Sequence, residues 1–345
     1  EGGVAANSVA SGVAIVQLNS QFINWTGGAL TILDPHANTT ASNTLAFNNS
    51  TAHVNVPNTH TLKLGDGVST DAGGNATNGF RLSTFVGSRR ISFGNLEVNT
   101  TGGTNRQVTT ASNIGFNGNV TIEPSSEVVF GTSYVAGNIV NNGTFTSTAV
   151  LGLASYTDGT VSATTNAQTI GGSGVYRNLA AAPTANLTSL TVNNTNATGV
   201  TLNIPLSVSG TLTMTSGIIN TTTTNLLTLG TATAGGTLAG TPSATSMVRG
   251  PFARTISNGN ANTNYLLFPV GKVAYAPIWA APATTAATVM KAETFDTNTG
   301  TQSAAIANMA TNRRWELPLV SGTITNINVR LGDAGVLATS IPVQA

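Results

Sequence analysis

SVSGTLTMTSGIINTTTTNLLTLG (Ser207–Gly230) holds no charged side chain, and none occurs between Arg177 and Arg249. A disordered chain would avoid its apolar residues, and a soluble amphipathic helix would carry a charged or polar face. The stretch instead alternates, as in Thr211-Leu212-Thr213-Met214, with the period of a half-buried strand. Apolar runs centre near Leu190, Leu202, Leu212 and Leu226. Three such short strands with turns make a coil of roughly 20–30 residues, the range of solenoid repeats.

Stacked coils form a parallel β-helix, and stacking accounts for the missing charge. Each strand lies ~4.8 Å from its equivalents in the coils above and below. Like residues then sit on like residues, and a column of one charge would repel itself. Thr hydroxyls and Asn amides are expected to donate and accept along such columns instead. Other alternating runs agree: Thr61–Leu64, Leu96–Val98 and Val120–Ile122, each followed by a Gly, Asn or Pro turn signal. GNLEVNTTGG…NIGFNGNVTIEPSSEVVFG, from Gly94, reads as an imperfect repeat of TSLTVNNTNATGVTLNIPLSVSGTLTM, from Thr188. About ten coils over residues 1–245 would make a rod roughly 50 Å long.

Composition excludes several classes. The chain has 345 residues, 7% charged and 40% hydrophobic, with net charge +1. That is too apolar for disorder and too weakly basic for a nucleic-acid footprint. It has no cysteine, so disulfides, thiolate metal sites and cysteine nucleophiles are out. No apolar run approaches the ~20 residues that span a bilayer.

After Met247 the texture changes. Charge returns in MVRGPFARTI, and Thr263–Lys272, Ala274–Pro282, Asn312–Val320 and Thr323–Gly332 read as longer strands with irregular connections. These suggest an antiparallel sandwich. The expected organisation is all-β: a β-helix stalk over 1–245, with 1–25 as an N-terminal cap, then a β-sandwich-like domain over 246–345. That domain is expected to be incomplete at its C-terminal end.

GVYRNL…LTSLTVNN…GVTLNIPLSVSGTLTMTSGIINT…NLLTLG, then MVRGPFART…YLLFPVGK, then RRWEL, resembles a pattern of large secreted surface proteins of Bacteroidetes-type bacteria. These include adhesins exported by the type IX secretion route. The resemblance covers roughly residues 110 to 335 and is textural, with no catalytic signature. It implies a β-helical stalk, a following sandwich and life on the cell surface. The C-terminal sorting domain usual in those proteins is not recognisable here.

Few residues offer chemistry. Glycan-cleaving β-helices need paired carboxylates or clustered Asp, and this chain has 12 acidic residues. Glu97, Glu123 and Glu127 are the nearest to a cluster. Glu97 and Glu123 lie about one coil apart and could stack on one face; the plainer reading is solvated residues paired with Arg89 or Arg106. Asp66, Asp71 and Asn75, in LGDGVSTDAGGN, are oxygen ligands of the type calcium takes. Their spacing matches neither an EF-hand loop nor the Gly-rich nonapeptide repeat, and Asp and Gly also simply make turns. His36, His53 and His60 fall close together, but metal binding needs them to converge; exposed histidines are the simpler reading. No phosphate loop, nucleophile elbow or dinucleotide fingerprint occurs.

The sequence therefore points to a non-enzymatic extracellular structural or adhesive protein of the bacterial surface. No catalytic residue, resident metal or cofactor is assigned. Expected partners are a glycan or further copies joined through open β edges, with no nucleic acid and no transmembrane segment. The alternatives are a self-assembling filament subunit and a glycan-active β-helix lyase or hydrolase.

Overall fold

Alternation sets the local structure. In His60–Leu64 the side chains of His60, Leu62 and Leu64 are buried while Thr61 and Lys63 stay half-exposed. β-Branched and aromatic residues at the inward positions favour the pleat, and Gly, Asn or Pro end each run within a few residues. The structure is a computed structural model. It describes residues 16–18, 22–23, 25–33, 45–47, 53–67, 80–84, 91–100, 107–110, 113–178, 186–297, 313–333, 336–337 and 341–342. The fold is all-β, and no helix occurs among the described residues. No helix there is long and apolar enough to cross a membrane.

Two compact units divide the chain: Glu1–Ser162 with Gly172–Pro183, and Ala163–Gly171 with Thr184–Ala345. In the first unit the chain visits three parallel sheets in the same order on successive turns. The first face stacks Val16–Leu18, Leu45–Phe47, Phe80–Thr84, Gln107–Thr110, Glu127–Phe130, Thr144–Ser147 and Val175–Asn178. The second stacks Phe22–Ile23, His53–Asn55, Ile91–Phe93, Ile114–Phe116, Ser133–Val135 and Val150–Leu153. The third stacks Gly28–Ile32, His60–Leu64, Asn95–Val98, Val120–Ile122 and Ile139–Asn141. This is the expected β-helix. Its turns range more widely than the composition suggested, from 17 residues between the partners Val128 and Phe145 to 37 between Leu45 and Leu82.

The core is more aromatic than the expected Leu, Ile and Val ladders. Phe93, Phe116, Phe130, Phe145 and Tyr176 form a continuous file, with successive ring centroids 6.2, 5.6, 5.4 and 5.4 Å apart. Each buried ring contributes about 1.5–3 kcal/mol through its area, and each pair about 0.5–1.5 kcal/mol more. Burial raises the Tyr176 hydroxyl pKa.

The entry to the third face is a Gly-Asn corner that recurs turn after turn at Gly94-Asn95, Gly118-Asn119 and Gly137-Asn138. The Gly118 amide donates to the Gly94 carbonyl at 3.0 Å and the Gly137 amide to the Gly118 carbonyl at 3.1 Å. The Asn95 Oδ1 accepts from the Asn119 amide, and the Asn119 Oδ1 from the Asn138 amide, both at 2.8 Å. Here is the Asn ladder the composition called for. The repeat read from Gly94 and Thr188 places Leu96–Val98, which pairs Leu62–Leu64 and Val120–Ile122, against Leu190–Val192, whose strand pairs Leu206–Ser216. The described parts of the expected end cap, Val16–Leu18 and Phe22–Ile23, pair as ordinary rungs with Leu45–Phe47 and His53–Val54.

One excursion leaves the first unit's coil. Ser155–Thr157 and Thr160–Ser162 form a hairpin turned by Asp158 (φ 53°) and Gly159 (φ 80°), the positive-φ pair of a type I′ turn.

The second unit also contains parallel sheets. One face pairs Leu187–Asn193 with Leu206–Ser216, which in turn pairs Leu227–Leu229 and Thr237–Gly240. Another stacks Gln168–Gly171, Val200–Leu202, Ile219–Asn220, Val248–Arg249 and Val270–Gly271. Phe252–Ile256 is the hinge between two kinds of pairing. It is parallel to Leu227–Leu229 on one side and antiparallel to Thr288–Phe295 on the other. Thr288–Phe295 also carries Arg314–Glu316 and Leu319–Ser321. A second antiparallel sheet of Leu266–Phe268, Ile278–Thr284, Ile324–Asp333, Val336–Leu337 and Ile341–Pro342 completes the sandwich-like part. Phe252 and Phe268 meet edge to face at 6.2 Å.

Candidate functional site

Register separates the carboxylates that the spacing had stacked. Glu97 lies opposite Thr121, not Glu123, and its neighbour on the other side is Lys63. Glu123 follows the Val120–Ile122 strand two residues beyond Thr121, so the two glutamates are out of step by two positions. The Lys63 Nζ reaches the Glu97 Oε2 at 2.7 Å. An opposite charge in the next rung removes the repulsion that forbids a charged column.

Glu127 belongs to a different face. It accepts from the Gln107 Nε2 at 2.8 Å and the Thr146 hydroxyl at 3.2 Å, and it pairs with the Arg177 guanidinium. The Arg177 Nε also donates to the Thr146 hydroxyl at 3.0 Å. Four rungs are thus tied by one polar network. Both partners keep 22–30% of their side-chain surface exposed, so solvent screens the pair. Glu127→Gln should lower stability by less than about 1 kcal/mol, measured by urea denaturation.

The calcium candidates divide. Asp66 is exposed on a turn between Gly65 and Gly67, whose amides donate to the Ile32 and Asn99 carbonyls at 2.8 Å. Asp71 and Asn75 lie outside the described residues, as do His36, Arg89 and Arg106. His53 opens a second-face strand, and His60 opens one on the third face. His60 is buried, with 4% exposure, which corrects the reading of exposed histidines at this position. Among the described residues no three His, Asp or Glu group so as to hold a metal ion.

Three clusters escaped the sequence reading. The first lies on the second face of the first unit, where Tyr134 and Tyr156 stack at 5.0 Å and 11°. Their rings occupy the room left by glycines: a Cβ on Gly115 would come within 2.7 Å of Tyr156, and one on Gly152 within 2.4 Å of Tyr134. The hairpin carrying Tyr156 is thereby fastened to the sheet. Beside it the Asn117 Nδ2 donates to the Asn55 Oδ1 at 2.7 Å, and the Ser92 hydroxyl donates to the same oxygen at 2.9 Å. The Asp158-Gly159 dipeptide was the available signal.

The second cluster gathers charge in the antiparallel part. The Phe295 ring has the Lys272 ammonium 5.4 Å and the Arg314 guanidinium 4.3 Å from its centroid. Lys272 pairs with Glu293 at 2.8 Å and Arg314 with Glu316 at 3.0 Å. The third is Arg254, inward-facing and 5% exposed. It donates to the Leu267 carbonyl at 2.7 Å and the Gly236 carbonyl at 3.2 Å. Burial pushes its pKa down to about 10, which still leaves it charged at neutral pH.

The uncharged stretch that opened the sequence reading forms a surface of its own. Its outward positions register as Ser189–Thr211–Thr237 and Thr191–Thr213–Ala239. The hydroxyls of Thr191, Thr211 and Thr213 make no hydrogen bond among the described residues. This differs from the expected hydroxyl ladder. Asn side chains supply the bonds along columns, as where the Asn220 Nδ2 donates to the Thr198 carbonyl at 2.6 Å, and these Thr hydroxyls remain for solvent. No family model, no curated protein and no solved structure matches the chain.

Proposed function

We propose that this chain is a non-enzymatic scaffold of the bacterial cell exterior that adheres through its charge-free hydroxyl surface. The observation that carries the reading is the pair of columns through Thr211 and Thr213. β-Branched side chains hold their rotamers stiffly, so hydroxyls and methyls stand in fixed rows with no charged group to desolvate when a neutral partner docks. A neutral polysaccharide is the ligand class this chemistry suits. The carboxylates weigh against the glycan-cleaving alternative, since Glu97 and Glu127 are each held by a cation on a different face.

The test is retention on a panel of insoluble neutral polysaccharides. Wild-type protein should be retained, and Thr213→Glu should weaken retention about tenfold, a loss of about 1.4 kcal/mol. Equal retention of both proteins, or of neither, would reject the adhesive surface. Release of soluble sugar from any member of the panel would instead establish the enzyme.

A further inference from the structure

We propose that His60 and Trp25 form an acid-sensitive fastening, which holds the Gly28–Ile32 rung onto the next turn at neutral pH and releases it when His60 takes up a proton. The geometry is specific. His60 opens the His60–Leu64 strand in register with Gly28, and its ring faces the interior with Leu62 and Leu64. The Trp25 indole lies on it, centroids 4.8 Å apart and planes 18° from parallel. The Nδ1 is buried and has no hydrogen-bond partner among the described residues. The backbone around the ring is already committed: the His60 amide donates to the Pro57 carbonyl at 3.1 Å, and its carbonyl accepts from the Asn95 Nδ2 at 3.3 Å.

A neutral imidazole can leave one nitrogen bare. An imidazolium has two N–H donors and a charge, and no described residue offers the enclosed Nδ1 an acceptor. Trp25 would attract the cation through its ring face, but it covers the ring rather than hydrating it. The charged groups described on the strands packed here are Lys63 and Glu97, and they bond to each other. The rung Gly28–Ile32 carries none, nor does the Pro57–Thr59 turn.

Burial holds the His60 pKa below its ordinary 6.5. The sign follows. Above pH 6.5 both the closed and the open state are neutral and the fastening has its full strength. As pH falls below 6.5 the open state takes the proton first, so closure weakens down to the depressed value. Each unit of depression is a factor of ten in opening.

The experiment uses the full chain from pH 8 to 4.5, with Trp25→Phe protein subtracted to isolate the Trp25 emission from Trp279 and Trp315. Amide exchange is followed in Gly28–Ile32. The expected result is a reversible red shift centred below pH 6.5, with a loss of exchange protection in that rung between pH 7 and pH 5. His60→Phe, which keeps the stack and cannot titrate, should abolish both changes while melting at least as high as wild type at pH 8. No transition in the wild type overturns the proposal, as does the same transition in His60→Phe. Quenching without a red shift or loss of protection also overturns it, because His60 would then be protonating in place.

Discussion

Gly94→Ala should lower the melting temperature by roughly 6–12 °C, on about 2–4 °C per kcal/mol for a unit of this size. The backbone there has an ordinary φ, so conformational freedom is not the cause. Space is. A Cβ on Gly94 would stand 2.2 Å from the Pro57 carbonyl oxygen and 2.3 Å from that of His60. Both atoms are backbone of the preceding turn and cannot rotate away. Relief requires the Gly94 rung to part from the turn before it, which breaks the Asn95 Nδ2 bonds to the Asn58 and His60 carbonyls. Overpacking of this kind costs about 1–3 kcal/mol and sometimes more; with two carbonyls struck at once, about 3 kcal/mol is expected. Gly27→Ala is the control, since its nearest neighbour would be the Thr59 carbonyl at 3.8 Å. Calorimetry of the pair decides the matter. Equal melting of both variants would show that the corner yields and that the stacked Gly-Asn steps do not set the rise of the coil.

Arg254→Ala should destabilise the second unit by about 3 kcal/mol or more. Arg254 extends the inward column Val208–Leu229–Arg254, with Met290 opposite it on the antiparallel side. The guanidinium fills the end of that column against the Phe268 ring, 6.0 Å from its centroid. Its two hydrogen bonds go to carbonyls of different segments. Removing them strands the Leu267 and Gly236 oxygens and leaves a void, and each effect is costly in a buried site. Arg254→Met should cost about half as much, because it keeps the volume and also discards the buried Nε, which has no partner among the described residues. Chemical denaturation monitored at Trp279 would rank the three proteins. An alanine variant as stable as wild type would mean the column is closed by Met290 and Phe252 alone.

The solenoid was legible in Ser207–Gly230 because its two signals, period-2 alternation and missing charge, are both consequences of stacking. Leu212 and Met214 are buried while Thr211 and Thr213 are not, as alternation required. Register was not legible. Coils of 17 to 37 residues carry insertions at their corners, so a fixed spacing such as that between Glu97 and Glu123 does not bring residues into one column. Only local markers such as Gly94-Asn95 keep phase. The aromatic file was hidden for the same reason, since Phe116, Phe130 and Phe145 are nearly evenly spaced but Phe93 and Tyr176 are not. The antiparallel part was visible as longer strands after Met247. Its junction was not, because Phe252–Ile256 reads the same whether its neighbour runs with it or against it. The burial of His60 escaped notice because a single residue beside a turn has no period to place it.

The reversal of direction at Thr288–Phe295 bears on how copies of this molecule could concatenate. A parallel stack is its own template: any coil of the same kind can dock on the last one. On the face that ends in Phe252–Ile256, the last parallel strand is met by a partner running the other way, and that template is used up. The margin beyond it, Arg314–Glu316 and Leu319–Ser321, is interrupted by Pro318, which has no amide hydrogen to offer a newcomer. Growth on this face would first require those strands to be peeled off.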